Sequence, residues 1–401
     1  MSGWQKMCLS DLCSLITDGK HGDCRDENGS GYYFLSVKDV LGGRLVYDNA
    51  RQIAESDFLE THQRTNLSPG DILFTNTGTI GRMAIAADDP KTYRTTFQKS
   101  VAILKPKQKI ILPRLFYYLL QFDNARLSEF AAGTTQKNLL LKDFRTFTVH
   151  VPPLSEQRAI ASVLGSLDDK IDLNRRMNET LEALARALFQ SRFVDATQAG
   201  LPKGWREGTL GDVAENPRRG VQPDEIKPAT PYIGLEHMPR RCIALSDWGH
   251  ADELESNKFE FMRGEILFGK LRPYFHKVGV APLDGVCSTD ILVVTPKEPA
   301  WFGFVLGHVS SVELVNHTDA ASTGTKMPRT NWQDIARYEV ALPPETLAAK
   351  FSELIQPLID RIIANIHESR TLAALRDALL PKLLSGELRV PAAAKHVEAH
   401  A

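Results

Sequence analysis

An internal repeat covers almost all of this 401-residue chain and constrains its fold more than any other feature. The segment 70–74 (GDILF) returns as 264–268 (GEILF), a shift of 194 positions. The double proline at 152–153 returns at 343–344, a shift of 191 positions. A period of about 190–200 residues is that of a whole domain rather than of a solenoid unit. We therefore expect two similar modules, related by a pseudo-twofold axis, with two related but unequal sites.

The composition is that of an ordinary globular protein, with 43% hydrophobic and 24% charged residues. No apolar run approaches the length of a membrane span, and no secretory signal is expected at the N-terminus. Five irregularly spaced cysteines favour reduced thiols in a cytoplasm. Cys8, Cys13, His21 and Cys24 lack the short paired spacing of a zinc site, so we expect no metal. Because the net charge is −1, any contact with nucleic acid must depend on locally placed cations or on a partner.

Both copies predict the same order of elements: short strands, a helical stretch, one further strand and a long helix. The predicted strands are 32–37, 71–75, 100–105 and 147–151 in the first copy, and 232–235, 265–268, 289–295 and 338–342 in the second. The shorter helical stretches are 112–130 and 301–315. Since strands and helices do not alternate strictly, the pattern predicts an α+β fold with two mixed domains.

These patterns divide the chain into six segments. Residues 1–152 and 205–343 are predicted to be the two globular domains, separated by a helical spacer. The remaining segments are a central helix at 153–194, a linker at 195–204, a C-terminal helix at 344–390 and a frayed tail at 391–401.

The two long helices carry a hydrophobic seam with the four–three spacing of a coiled coil. Asn174 and Asn365 interrupt the two seams at the same place, flanked by Asn178 and Ser369. A polar seam residue costs stability but fixes register and orientation. The other seam residues are Ile160, Leu164, Leu167, Ile171, Leu181 and Leu188 in the first helix, and Ile355, Leu358, Ile362, Leu372 and Leu379 in the second.

We expect the helices to pair antiparallel, with Asn174 facing Asn365. Parallel pairing would instead place both domains at the same end. A further alternative is that each amphipathic helix lies on its own domain. A helix of about 36 residues is about 54 Å long, so antiparallel pairing would hold one domain near each end. Such a spacer suits a split DNA site, whose successive major grooves lie about 34–36 Å apart. It suits two docked enzymes or ligands almost as well.

Several motifs together resemble the specificity subunit of type I restriction–modification enzymes. They are 70–81 (GDILFTNTGTIG), 153–160 (PLSEQRAI) and 379–386 (LLPKLLSG), with Gly204-Trp205 opening the second half. Each motif alone is moderately specific, but their order and duplication extend the resemblance over essentially the whole chain. In the second copy Leu271-Arg272 replaces Thr77-Gly78. The segments 18–31, 41–68 and 82–96 have no recognisable match in 214–229, 239–262 and 272–286. If these variable segments read bases, the two halves of the chain should recognise different DNA sequences.

The resemblance implies a function in DNA recognition. Residues 1–152 and 205–343 would each be a target-recognition domain that reads one part of a bipartite double-stranded DNA sequence. The paired helices would act as a ruler and would dock two methyltransferase subunits, and motor-nuclease subunits would join them. The chain itself would catalyse nothing and hold no cofactor. S-adenosylmethionine, ATP and magnesium are expected on the partner subunits.

Candidate DNA contacts lie in loops at equivalent places in the two copies, where cationic, hydroxyl and amide side chains can grip phosphates or reach base edges. In the first copy they are Lys20, His21, Thr75, Asn76, Thr77, Arg82, Thr134, Thr135, Gln136 and Lys137. In the second copy they are Arg218, Arg219, Lys270, Arg272, Tyr274, Thr323, Thr325, Lys326 and Arg329. For each loop the alternative is a solvated turn that hydrogen-bonds to itself.

The alternative function is a self-contained DNA methyltransferase or nuclease acting on a split site, and its motifs fail. The segment 264–270 (GEILFGK) has phosphate-loop spacing, but Leu271 stands where Ser or Thr should hold magnesium. Its apolar residues predict a strand instead. The segment 216–219 (NPRR) lacks the aromatic residue that would stack a flipped base. A purely structural scaffold is a third possibility, and it predicts no retention of DNA.

Overall fold

The computed structural model describes residues 3–131, 137–252, 254–322, 327–391 and 393. The chain divides into two compact units. Unit 1 consists of Met1–Asp168 and Ala374–Ala401, and unit 2 consists of Asp169–Ala373. Of the predicted tail 391–401, only Pro391 and Ala393 belong to the described residues. Helices and strands are mixed in both units, as the α+β prediction requires.

Unit 1 is built around a four-stranded antiparallel sheet in the order β2-β9-β6-β7, with a parallel pair β3-β8 beside it. Strand β1 pairs with β10, and β4 with β5. The strands are β1 (Gln5–Cys8), β2 (Cys13–Asp18), β3 (Tyr33–Leu35), β4 (Val40–Leu41), β5 (Arg44–Leu45), β6 (Ile72–Thr75), β7 (Met83–Ile85), β8 (Thr95–Phe97), β9 (Val101–Pro106) and β10 (Thr148–Val151). The short helices are α1 (Leu9–Leu12), α2 (Glu55–Thr65), α3 (Pro113–Phe122), α4 (Asn124–Ser128) and α5 (Leu141–Thr146).

The long helix α6 (Leu154–Phe189) follows directly after β10. Gln157 lies in its first turn, is buried, and ties the helix to the rest of unit 1. Its amide nitrogen donates to the carbonyls of Pro152 and Ile110, both at 2.9 Å, and its amide oxygen accepts from the Leu112 N–H at 3.0 Å. The glutamine of the PLSEQRAI motif is therefore a structural anchor.

Unit 2 repeats this plan. Its antiparallel sheet has the order β12-β20-β17-β18, and a second sheet has the order β13-β16-β19-β14-β15. The strands are β11 (Arg206–Thr209), β12 (Ala214–Glu215), β13 (Gly220–Val221), β14 (Pro231–Ile233), β15 (Gly249–His250), β16 (Lys258–Phe261), β17 (Ile266–Gly269), β18 (Val278–Val280), β19 (Gly285–Cys287), β20 (Ile291–Pro296) and β21 (Glu339–Leu342). The helices are α7 (Leu210–Val213), α8 (Phe302–Val309), α9 (Val312–Ala321), α10 (Trp332–Ala336) and the long α11 (Glu345–Leu384).

Strand registers confirm the internal repeat. In unit 1, Ile72 on β6 faces Leu104 on β9, and the corresponding pair in unit 2 is Ile266 and Val294. The terminal strand pairs, β1-β10 and β11-β21, are likewise antiparallel in both units. The repeated sequence therefore encodes a repeated topology.

The long helices pair antiparallel inside unit 2. The Phe189 ring near the end of α6 lies 6.3 Å from the Phe351 ring near the start of α11. Buried isoleucines of α11, including Ile359, Ile363 and Ile366, also pack into the core of unit 2, so the helix buries more than a narrow seam. The two predicted arrangements are therefore combined, because α11 pairs with α6 and also packs on its own domain.

Candidate nucleic-acid interface

In unit 1 those of the predicted loop residues that the structure describes gather at one edge of the main sheet. Strands β2 and β6 end at this edge, and β9 and β7 begin there, because neighbouring strands are antiparallel. Backbone hydrogen bonds join the loops in a row. The Lys99 N–H donates to the Lys20 carbonyl at 3.1 Å, the Asn76 N–H to Ser100 at 3.0 Å, and the Leu139 N–H to Asn76 at 2.8 Å. Loops that are distant in sequence thus become neighbours.

Three of the predicted side chains at this edge hold the loops together. Thr75 is 0% and Asn76 is 4% exposed, so the prediction that they contact DNA directly is corrected to a supporting role. The Thr75 hydroxyl accepts from the Arg82 N–H at 2.9 Å, and the Asn76 amide donates to the Leu139 carbonyl at 3.3 Å. The Thr77 hydroxyl donates to the Asn138 side chain at 2.9 Å.

The cations at this edge differ in their availability. The Lys20 ammonium donates to Glu60 at 2.9 Å, and this hydrogen bond raises the pKa of Lys20. The His21 ring lies 3.0 Å from Asp18. Arg82 and Lys137 are exposed, and Arg82 makes a 3.3 Å hydrogen bond to the Val37 carbonyl. Arg82 and Lys137 are therefore the better candidates for binding a DNA phosphate, because the charge of Lys20 is already paired with that of Glu60.

Unit 2 presents an equivalent edge where β17 ends and β18 begins. The connecting loop carries Lys270, Arg272 and Tyr274. Leu271 forms an antiparallel bridge with Arg329, just as Thr77 does with Asn138 in unit 1. The repeat therefore keeps the backbone pairing of this edge while its side chains change from threonine and asparagine to leucine and arginine.

The candidate DNA contacts of unit 2 differ in their exposure and in whether a carboxylate already pairs with them. Tyr274 is 49% exposed. The Arg329 side chain is also 49% exposed, but its guanidinium donates to Asp290 at 3.1 Å. Lys270 is half-buried, and its backbone joins the Asp290 carbonyl and the Thr330 N–H.

Arg218 and Arg219 were predicted to lie in a loop equivalent to that of Lys20 and His21 in the first copy. The structure places them elsewhere. The chain leaves the main sheet after β12 at Pro217 and enters the second sheet as β13. The Arg219 guanidinium pairs with Glu265, which precedes β17, whereas Lys270 follows the same strand. The two arginines are thus separated from the loop at 270–277 by the length of β17. The predicted equivalence with Lys20-His21 is wrong.

Some predicted contacts fall outside the described residues. They are Thr134, Thr135, Gln136, Thr323, Thr325 and Lys326, and their contact with DNA remains a prediction. Lys137 is the first described residue after positions 132–136.

The polar residues of the helix seam are buried inside unit 2. The Asn174 amide donates to Glu368 at 2.8 Å and to Ser369 at 3.3 Å, and the Asn365 amide donates to Asn178 at 2.8 Å. The prediction that Asn174 faces Asn365 is therefore wrong. Each asparagine instead faces the residue that flanks the other one, because the helices are displaced by four residues, about one helical turn.

The remaining seam residues are sheltered from solvent. Ile160, Leu164, Leu167, Ile355, Ile362, Leu372 and Leu379 are buried, and Ile171, Leu181, Leu188 and Leu358 are partly buried. Inside unit 1, Arg376 of α11 donates to Asp168 of α6 at 2.7 Å. Sequence reasoning missed this pair, since Arg376 replaces an apolar seam residue.

The structure bears on the enzyme alternative at one point. The segment with phosphate-loop spacing contains β17, a buried strand, as its apolar residues predicted. Among the described residues, no group of three or more His, Cys, Asp or Glu side chains is placed to hold a metal ion.

In the part of the chain that the structure describes, every helix is too short or too polar to cross a membrane.

Known proteins of similar sequence were found for both halves. Residues 1–183 match the family model of the type I restriction modification DNA specificity domain. The specificity subunit of the type I restriction enzyme MjaIX, from Methanocaldococcus jannaschii, is 28% identical over 394 positions that cover 90% of this chain and 88% of that protein. The chain resembles type I specificity subunits.

Two further similarities extend over nearly the full length. The specificity subunit of the Haemophilus influenzae enzyme HindI is 22% identical, covering 97% of this chain and 100% of that protein. The crystal structure of the type I S subunit from M. genitalium is 17% identical, with a TM-score of 0.57, and covers 95% of this chain and 96% of that one. The duplicated fold is thus shared with a specificity subunit of known structure.

Proposed function

We propose that this chain is the DNA-sequence-specificity subunit of a type I restriction–modification complex. The observation that carries the proposal is the duplicated sheet edge, with the same backbone bridge in each unit and different side chains around it. In this proposal each unit reads one part of a bipartite target. Since the two edges differ in their side chains, the two parts of the target differ in sequence.

The chemistry is assigned to other subunits in this proposal. Two methyltransferase subunits dock on the long helices and hold S-adenosylmethionine, and motor-nuclease subunits supply ATP- and magnesium-dependent steps. The chain contributes recognition without catalysis. The five cysteines are free thiols, which suits the reducing cytoplasm where such a complex would act.

The test of this function is a methylome. Sequencing of modified bases in a host with and without this chain should reveal one bipartite motif that is methylated only when the chain is present. Incubation of the purified chain with DNA, magnesium and S-adenosylmethionine tests the enzyme alternative. Methyl transfer or cleavage by the chain alone would favour that alternative.

Lys137→Ala is expected to weaken DNA binding for all sequences to a similar degree. Lys137 is exposed at the edge of unit 1, and a phosphate contact carries no base preference. Titration at several salt concentrations should show that the slope of log affinity against log salt falls by about 1. Lys109→Ala is the control, because Lys109 is exposed in the turn beyond the opposite end of β9. Equal losses in both variants would contradict the assigned edge.

A further inference from the structure

Two arginines at the edge of unit 2 lack the carboxylate partners that neutralise other arginines of the chain. Arg219 pairs with Glu265 and Arg329 with Asp290. Among the described residues, neither Arg240 nor Arg272 has a carboxylate within ion-pair distance, and the Nε atom of Arg272 is buried without a hydrogen-bond partner. Their positive charge is therefore available to an external group.

Both guanidinium groups lie near the same aromatic ring. The Arg240 guanidinium carbon lies 3.9 Å from the centre of the Phe275 ring, and that of Arg272 lies 6.0 Å from it. The half-exposed Tyr274 ring packs edge-on against Phe275 at 4.7 Å. A cation–π contact attracts a guanidinium to the face of the ring without cancelling its charge. We call Arg240, Arg272, Tyr274 and Phe275 the arginine–aromatic cluster.

The backbone around this cluster is strained. Arg241, Arg272 and His276 have φ angles of 55°, 52° and 49°, although none of them is glycine or asparagine. Such conformations are strained for residues other than glycine, and they collect at functional sites. Hydrogen bonds hold them in place. The Arg241 N–H donates to the His276 carbonyl at 2.8 Å, the Arg272 N–H to Pro328 at 2.7 Å, and the His276 ring lies 3.0 Å from the Ser310 carbonyl.

The cluster belongs to the candidate interface of unit 2. Its loop joins β17 to β18, and the Gly269 N–H donates to the Lys277 carbonyl at 2.8 Å where the loop closes. Burial and the nearby Arg240 charge lower the pKa of Lys277, against the opposing effect of Glu236. Lys277 thus adds a third cationic side chain beside Arg240.

The described part of unit 1 has no counterpart of the cluster. The Ile85 N–H donates to Gly43 as the Val280 N–H donates to Ile243, so Val40 and Leu41 stand where unit 2 has Arg240 and Arg241. The loop between β6 and β7 contains Gly78-Thr79-Ile80-Gly81 in place of the aromatic residues. The cluster also lies in the variable segments 239–262 and 272–286, whereas the bridges that shape the edge are common to both units. A contact that is present in one unit alone suits a base of one half-target better than the uniform phosphate backbone.

We infer that Arg240 is a specificity-determining residue that contacts a guanine of the second half-target, with Phe275 as its positioning residue. This inference rests on the proposed function. The guanidinium fork would donate to the guanine O6 and N7 atoms in the major groove, which is the geometry that arginine uses to recognise guanine. Phe275 beneath the fork would keep its plane aligned with the base.

The test uses the assembled complex with its methyltransferase subunits and duplexes in which each base pair of the methylome-derived target is varied. Arg240→Lys keeps the charge and removes the fork. It is expected to reduce the preference for one G·C pair in the second half by about 5- to 150-fold, and to leave the first half unchanged. Phe275→Leu should reduce the preference at the same base pair. Arg263→Gln, an exposed arginine before β17, should have no effect.

The outcomes are distinguishable. If Arg240→Lys retained the wild-type preference at every base pair, or if Arg240→Gln weakened binding to all sequences alike, Arg240 would not be a base contact and the inference would be wrong. If the wild-type complex preferred no sequence, the proposed function would fail before any variant was compared. Arg240 is exposed, so its variants should keep the wild-type melting temperature.

Discussion

Exchange of residues 205–343 for the corresponding domain of a relative is expected to change one half of the methylated target and to leave the other half intact. The segment begins before β11 and ends after β21, and these strands pair antiparallel with Arg206 opposite Leu342. A graft that carries both strands therefore keeps its own closing sheet. The MjaIX subunit is a suitable donor, since 90% of this chain is covered in its alignment. Methylome sequencing of a host carrying the chimera provides the measurement.

The matched control is the reciprocal graft of residues 1–152. This segment carries both β1 and β10, which pair in the same way in unit 1. It should change the other half of the target. A chimera that altered both halves, or that methylated the original motif, would contradict the assignment of one half-target to each unit.

Phe351→Ala is expected to lower the free energy of unfolding of unit 2 by about 3–5 kcal/mol. Phe351 is 1% exposed, and its ring packs edge-on against Phe193 at 4.8 Å in the core of unit 2. The truncation would leave a cavity between α11 and the end of the helical segment that follows α6. Urea unfolding followed by tryptophan fluorescence is the measurement, because four of the five tryptophans lie in unit 2.

Leu354→Ala supplies the control for this measurement. Leu354 is in the same stretch of α11, but it is 41% exposed. Its truncation should change the free energy of unfolding by about 0.5 kcal/mol or less. Equal destabilisation by the two substitutions would show that the buried face of α11 has been assigned incorrectly.

Elements with a periodic or repeated signal were predictable from the sequence. The strands at 71–75 and 265–268 were found within one residue, since each is a short apolar run bounded by a turn. The antiparallel pairing of the helices was also predicted, but the matching polar residues of the two seams are compatible with either orientation. The register of the two paired helices was not predictable. It depends on how far the helices slide before packing against their own units, and no local signal encodes that displacement.

The candidate interface was predictable only in part. The loops at 75–82 and 270–277 were identified because the repeat aligns them. Arg218 and Arg219 were misplaced because the chain changes sheets at Pro217, a difference that falls in a segment without a match in the other copy. Arg240 was missed since its contact, Phe275, is distant in sequence, and a guanidinium stacked on a ring produces no motif.

The discontinuous composition of unit 1 has a consequence for biosynthesis. Met1–Asp168 leaves the ribosome first, but the segment from Ala374 that completes the unit follows about 200 residues later. At about 5–20 residues per second, the delay is about 10 to 40 s. During that interval the emerging helix lacks the contacts that the later segment supplies, such as the ion pair between Asp168 and Arg376. Unit 1 is therefore completed only near the end of translation, and translation speed is expected to affect the yield of correctly assembled protein.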